Sequence, residues 1–132
     1  MDMNFYTDET ILITGGAGAI GSNLSRKLAE SGAAKVIILD DLSASYKWNI
    51  PNLPNILFVK GSITNDIDLK RVFHEKPTYI FHLVAFFVNQ NSVDYPEKDL
   101  MVSQLCTTKI LEYCLLLGVV KQFAYADSGN NI

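Results

Sequence analysis

The sequence has few cysteines, and those it has cannot form a disulfide within one helix. Only 2 of its 132 residues are cysteine, at Cys106 and Cys114, in a stretch with helical character. Eight residues of helix place the two side chains roughly 12 Å apart, beyond the reach of a disulfide. We therefore expect reduced thiols and a cytoplasmic protein.

A basic excess and a long hydrophobic run are also lacking. Lys and Arg number 11 against 14 Asp and Glu, a net charge of −3, so no basic surface for nucleic acid is expected. Apolar runs such as residues 86–88 and 115–117 fall far short of the ~20 residues of a membrane-spanning helix. Residues 1–10 lack the apolar segment of a signal peptide. We expect neither a nucleic-acid partner nor membrane association.

Short apolar runs alternate with segments of helical length, and 48% of the residues are hydrophobic, enough for one compact domain. The patterns predict strands at residues 10–14, 35–40, 56–60, 79–84 and 122–126, and helices at 19–31, 65–74 and 96–117. Residues 43–55 contain two prolines and three asparagines and are expected to form a loop. This alternation predicts an α/β, doubly wound parallel sheet of about five strands in the order 3-2-1-4-5.

The strongest motif is the glycine loop between the first strand and the first helix. Gly15, Gly18 and Gly21 have the spacing G-x-x-G-x-x-G. Gly15 permits a tight turn, Gly18 permits close approach of a pyrophosphate, and Gly21 permits close packing of the helix against the sheet. The helix N-terminus then offers N–H groups and a positive dipole end to phosphates. The motif favours a dinucleotide site over a turn without a ligand.

An acid at the end of the second strand completes the pattern. Asp40 follows Gly21 by 19 residues, and a carboxylate there can accept hydrogen bonds from the ribose hydroxyls of NAD while repelling the 2′-phosphate of NADP. Asp41 is its neighbour, and only one of two adjacent strand residues faces a given side. Position favours Asp40 for the ribose, and the cofactor expected is NAD.

These residues resemble the extended short-chain dehydrogenases, specifically the NAD-dependent sugar-nucleotide epimerases and dehydratases. The resemblance rests on the glycine loop, on Asp-Asp-Leu-Ser at 40–43, on His-Leu-Val-Ala at 82–85 and on the lead-in to the fifth strand at 118–123. It implies a Rossmann domain whose cofactor contacts are made by Gly15, Gly18, Ala19, Ile20, Gly21, Asp40, Asp41, Ser43, Ser62, Ile63, Leu83, Val84 and Ala85. It implies Ser128 as the catalytic Ser/Thr.

The sequence departs from the family pattern at three positions. Ser62 stands where the family has an Asp that binds the adenine amine, so a charge-assisted hydrogen bond is lost. Cys106 replaces a glycine, which adds bulk where helix and sheet pack closely. Asp127 precedes Ser128 where the family has a second serine.

The family's catalytic Tyr-x-x-x-Lys motif does not occur in this sequence. The resemblance therefore implies that residues 1–132 are the N-terminal NAD-binding part, without the sixth strand and the substrate domain. In a complete enzyme, hydride would pass between a nucleotide sugar and NAD. The alternative is a catalytically inactive nucleotide-binding or regulatory module. In either case, we expect this stretch alone to perform no epimerase or dehydratase turnover.

Two weaker features have simpler interpretations. His74 and His82 lie on different elements without a pattern of ligands around them, so no metal site is expected. The apolar residues of the helix 96–117 are suited to core packing. The resemblance equally implies a homodimer formed through this helix, and the pattern leaves both uses open.

Overall fold

A computed structural model describes residues 6–42, 46–83 and 96–125, with side chains from residue 104 onward in the last range. The chain forms a five-stranded sheet in the order β3-β2-β1-β4-β5. The strands are β1 (Thr10–Thr14), β2 (Lys35–Asp40), β3 (Ile56–Lys60), β4 (Tyr79–His82) and β5 (Gln122–Tyr125). All four pairings are parallel. The predicted doubly wound sheet and its strand order are confirmed.

Helices cover both faces of this sheet. They are α1 (Ala19–Glu30), α2 (Asp66–Phe73) and α3 (Pro96–Leu117). Successive strand residues point to opposite faces, so Ile11 and Ile13 join a core with Leu28 of α1. Leu12, between them, joins the opposite core with Leu69 of α2. The near-continuous apolar strands follow from this double cover.

Helix α3 divides its apolar residues between two faces. Cys106 and Ile110 are buried in the core that also contains α2. Cys114 and Leu117 are half-buried against the same core. Four other leucines of α3 are exposed, namely Leu105, Leu111, Leu115 and Leu116. Core packing therefore accounts for only part of the apolar pattern of this helix.

The element ends differ slightly from the sequence-based expectations. Helix α1 ends at Glu30 rather than residue 31, α2 spans Asp66–Phe73 rather than 65–74, and β4 ends at His82 rather than residue 84. The expected loop 43–55 contains a 3-10 turn at Lys47–Asn49. Asn65 caps α2, because its side-chain oxygen accepts hydrogen bonds from the N–H groups of Ile67 and Asp68. In the described ranges, no helix is long and apolar enough to cross a membrane.

Candidate cofactor-binding site

The glycine loop is a tight connection between β1 and α1. Gly15 has a φ of 73°, a left-handed conformation that favours glycine. Its N–H donates to the carbonyl of Leu39 at 2.8 Å, and its own carbonyl accepts from the N–H of Gly18 at 3.2 Å. The loop is thereby joined to the end of β2.

Gly21 allows the first turn of α1 to approach this loop. A Cβ atom at position 21 would lie 2.5 Å from the carbonyl oxygen of Gly15 and 2.7 Å from the Cα of Gly16. Both contacts are with backbone, which cannot move aside easily. The sequence motif led us to expect close packing at Gly21 against the sheet, and the nearest atoms are those of the loop.

Gly16, which lies outside the G-x-x-G-x-x-G spacing, is a further close-packed position. A Cβ there would lie 2.7 Å from the Cγ2 atom of Ile38, a buried residue of β2. In the sequence, the second glycine of the Gly15-Gly16 pair could have indicated this close packing.

The N-terminus of α1 presents unpaired donors next to the loop. Gly18 occupies the N-cap position, and as a glycine it has no side chain to cap the first N–H groups of the helix. Among the described residues, none accepts a hydrogen bond from the backbone N–H of Ala19, Ile20 or Gly21. Ala19 and Ile20 are exposed, whereas Gly21 is buried against the loop. Three free N–H groups at the positive end of a helix suit a phosphate.

Asp40 lies at the end of β2 beside the same loop. Its side chain is largely buried, with 9% of the residue exposed. One carboxylate oxygen accepts the N–H of Ala17 at 3.1 Å, and the other accepts the N–H of Leu42 at 2.8 Å. Each oxygen retains a second acceptor direction, so Asp40 can orient the loop and also accept a ribose hydroxyl. Asp41 is exposed and lies beyond the strand.

The turn after β3 places a carboxylate next to Ser62. The Ser62 hydroxyl accepts the N–H of Thr64 at 3.1 Å, and its own N–H donates to Asp68 at 2.9 Å. No sequence motif marks Asp68, which lies six residues further on, in the first turn of α2. Ile63 is buried in the core, so its backbone rather than its side chain is available to a ligand.

His82, at the end of β4, joins the glycine loop to α3. Its Nδ1 atom shares a hydrogen bond of 2.6 Å with the hydroxyl of Thr14, which immediately precedes the loop. Its Nε2 atom lies 3.4 Å from the hydroxyl of Thr107. Burial lowers the pKa of His82 to about 4, so the ring is neutral at pH 7. A neutral ring has one donor and one acceptor nitrogen, which matches two hydroxyl partners.

The expected site residues that the structure describes gather at one edge of the sheet. The glycine loop, Ser62 and Leu83 follow β1, β3 and β4 respectively, and Asp40 is the last residue of β2. This is the carboxyl edge, where ligands of such sheets bind. Four further expected residues lie outside the described ranges, namely Ser43, Val84, Ala85 and Ser128. Within those ranges, no three His, Cys, Asp or Glu side chains are grouped to hold a metal ion.

Two solved structures of enzymes are similar to this chain over nearly its whole length. An epimerase of the methanogen Methanothermobacter thermautotrophicus is 57% identical, with a TM-score of 0.88, over 96% of this chain and 37% of its own. The enzyme WbmF of Bordetella bronchiseptica, solved in complex with NAD+, is 31% identical, with a TM-score of 0.83, over 97% of this chain and 38% of its own.

Comparison of sequences agrees with these structures. A UDP-glucose 4-epimerase of Mycolicibacterium smegmatis is 38% identical over 125 residues, which are 92% of this chain and 39% of that enzyme. The chain therefore spans less than two fifths of the length of these three relatives. The model of the NAD dependent epimerase/dehydratase family matches residues 11–131. This match confirms the resemblance seen in the motifs, and the chain belongs to the NAD-dependent epimerase/dehydratase family.

Proposed function

We propose that residues 1–132 form a single domain that binds NAD in a sugar-nucleotide epimerase or dehydratase. The observation that carries the proposal is the bond from the N–H of Ala17 to the carboxylate of Asp40. It holds a ribose acceptor beside the glycine loop, whose helix presents three unpaired N–H groups. An anion site next to a carboxylate suits a dinucleotide with a free 2′-hydroxyl.

Under this proposal, different residues contact different parts of the cofactor. The N–H groups of Ala19, Ile20 and Gly21 would hold the pyrophosphate, and Asp40 would accept the adenosine ribose hydroxyls. Ser62 and the backbone of Ile63 would face the adenine, although the Ser62 hydroxyl already accepts a bond within its own turn. By the family resemblance, the nicotinamide would lie toward the segment 83–85, with contacts from Leu83, Val84 and Ala85, and Asp41 and Ser43 would border the ribose.

The chemistry expected of the complete enzyme follows from the family. When bound, NAD supplies a hydride acceptor for the oxidation of a sugar hydroxyl. The residues of this chain would bind and orient the cofactor, and Ser128 would hold the reacting oxygen of the sugar. A nucleotide sugar as substrate is supported by the UDP-glucose 4-epimerase among the relatives and by a WbmF structure that contains NAD+ and UDP.

We propose that the chain forms a homodimer through α3. The support is the exposed face of α3, where Leu115 and Leu116 are 83% and 84% exposed. Leu105 and Leu111 lie on the same helix and are also exposed. Adjacent apolar side chains of this size favour contact with another protein surface.

Calorimetric titration of the chain with NAD and with NADP tests the proposed function. We expect tighter binding of NAD, because the carboxylate of Asp40 repels a 2′-phosphate. Asp40→Ala should weaken NAD binding by about 1–3 kcal/mol, the range for hydrogen bonds to a charged group. It should also reduce the preference for NAD over NADP.

Glu30→Ala is the matched control, because it removes the same charge from an exposed position at the end of α1. This variant should bind both cofactors as the parent chain does. Equal or tighter binding of NADP by the parent chain would reject Asp40 as the ribose acceptor. If neither cofactor bound at all, the proposed function itself would be rejected.

A further inference from the structure

The central residue of the glycine loop is held through both of its backbone polar groups. The N–H of Ala17 donates to Asp40 at 3.1 Å. The carbonyl of Ala17 accepts a hydrogen bond from the side-chain amide of Asn49 at 3.2 Å. Asn49 ends the 3-10 turn Lys47–Asn49 and lies 32 residues further along the chain. A side chain at the end of β2 and another from the connection that follows it thus secure one residue of the loop.

The composition of the loop makes such support necessary. Three of the four residues at 15–18 are glycine, and glycine adopts both signs of φ with similar ease. Ala17 alone carries a side chain, and it is fully buried. Without external ties, the peptide groups on either side of Ala17 could rotate at little cost. The hydrogen bonds at its N–H and at its carbonyl oppose that rotation.

The orientation of these peptide groups matters for an anion. Gly18, which follows Ala17 directly, is the N-cap of α1, and the unpaired N–H groups of the helix begin at Ala19. A carbonyl oxygen carries partial negative charge, and rotation of the Ala17 carbonyl toward these donors would repel a phosphate. A hydrogen bond from Asn49 retains that oxygen on the side of the 3-10 turn.

We propose that Asn49 is a positioning residue that holds the glycine loop in its anion-binding conformation. The inference rests on the proposed dinucleotide function and adds a specific residue to it. Asn49 acts through Ala17 and does not itself need to contact the ligand. Its effect should therefore appear in the binding of phosphates and be absent from the binding of the nucleoside.

Comparing the binding of ADP and adenosine by the same variants separates these effects. Asn49→Ala should weaken ADP and NAD about five- to tenfold, the loss expected for one hydrogen bond. Adenosine affinity should change less than about twofold, because its ribose still meets Asp40. Asn49→Asp should weaken ADP further, because a carboxylate cannot donate to the Ala17 carbonyl and adds negative charge. Asn52→Ala is the control, since Asn52 is exposed in the same connection.

A measurement without ligand keeps the proposal testable if binding is weak. Amide hydrogen exchange by NMR should be faster at Gly18 in Asn49→Ala than in the parent chain, because the bond from Gly18 to Gly15 depends on a fixed loop. Asn52→Ala should leave that rate unchanged.

The outcomes distinguish this inference from the proposed function. A parent chain that binds neither ADP nor NAD rejects the proposed function, and the positioning role with it. A parent chain that binds ADP, together with an Asn49→Ala variant of unchanged ADP affinity, rejects only the role of Asn49. Equal losses for ADP and adenosine would also reject it, because they would indicate a general structural effect.

Discussion

The two halves of the sheet expose different chemical groups. The first half consists of β1, β2 and β3, and the second half of β4 and β5. In the first half, β2 is buried from Val36 to Asp40, and polar groups at its carboxyl edge bond to the glycine loop. In the second half, both ends of β5 are exposed at Gln122 and Tyr125. Among the described residues, α3 and the segment that leads from it through β5 expose Leu105, Leu111, Leu115, Leu116, Val119 and Tyr125. The elements around the first half expose Ile20, Tyr46, Trp48 and Ile67.

This difference corresponds to the two roles proposed above. The first half provides hydrogen-bonding groups in fixed positions, to which the proposed function assigns a polar ligand. The second half presents apolar area, which is suited to contact with another protein surface. His82 connects the two halves, since its ring lies between Thr14 before the glycine loop and Thr107 of α3. Variants in each region should therefore have separable effects.

The largest effect is expected in the first half, from Gly21→Ala. The added Cβ would lie 2.5 Å from the Gly15 carbonyl oxygen, so either the helix or the loop must shift. We expect a loss of about 3 kcal/mol or more in the free energy of unfolding, at the upper end of the cost of overpacking. NAD binding should fall below detection by calorimetry, because the phosphate donors move with the helix.

Gly32→Ala separates the loss of stability from the loss of the site. Gly32 has a φ of 98° and lies at the other end of α1, where a Cβ would contact only the side chain of Thr7, at 3.6 Å. The variant should lose about 1–2 kcal/mol of stability through backbone strain and retain the NAD affinity of the parent chain. If Gly21→Ala bound NAD normally, the close approach of α1 to the loop would not matter for the cofactor.

The second prediction concerns the connection at His82 and its dependence on pH. Burial lowers the pKa of His82 from 6.5 to about 4, so the unfolded chain binds more protons between these values. Stability should therefore fall as the pH drops through this window, by roughly 2–3 kcal/mol in total. Urea unfolding at pH 7, 5.5 and 4.5 measures this slope.

His82→Asn should be less stable at pH 7 and should lose most of the slope between pH 6.5 and 4.5. The pKa values of Glu9 and Glu75 are lowered from the ordinary 4.5 by their hydrogen bonds to Lys121 and Lys35. Protonation of these two carboxylates therefore reduces stability mainly below the pH range of the His82 effect. His74→Asn, at an exposed position, is the control and should leave the slope intact. A slope that persisted in His82→Asn would assign the pH dependence to other groups.

The smallest effect on folding and cofactor binding is expected in the second half. Leu115→Gln combined with Leu116→Gln replaces two exposed leucines on α3. Because neither contributes to the core, stability should change by less than about 0.5 kcal/mol, and NAD affinity should be unchanged. Sedimentation equilibrium should shift from dimer toward monomer. A dimer of unchanged strength would place the proposed homodimer contact elsewhere.

Local patterns in the sequence were sufficient to predict the sheet and which elements carry the residues of the candidate site. The strand order followed from the alternation of apolar runs with helical segments, and the β1–loop–α1 unit followed from Gly15, Gly18 and Gly21. The position of Asp40 followed from its place at the end of a strand. These features depend on neighbours in sequence or on general rules of parallel sheets, so a single sequence carries them.

Contacts between distant segments could not be predicted in the same way. The bond from Asn49 to Ala17 spans 32 residues, and the bond from His82 to Thr14 spans 68. Asp68 beside Ser62 is closer in sequence, but it depends on how α2 is oriented after β3. Each of these contacts depends on the path of a loop or the tilt of a helix. Neither property produces a periodic pattern in the sequence.

The sequence by itself determined the class of fold, the dinucleotide motif and the acid at the end of β2, because residue type and spacing are sufficient to specify them. Only the tertiary structure decided which side chains secure the glycine loop and which leucines of α3 are buried. The physical reason is that hydrogen bonds and burial depend on distances between atoms that the folded chain brings together. For this protein, those distances make Ala17 the residue through which both Asp40 and Asn49 bond to the glycine loop.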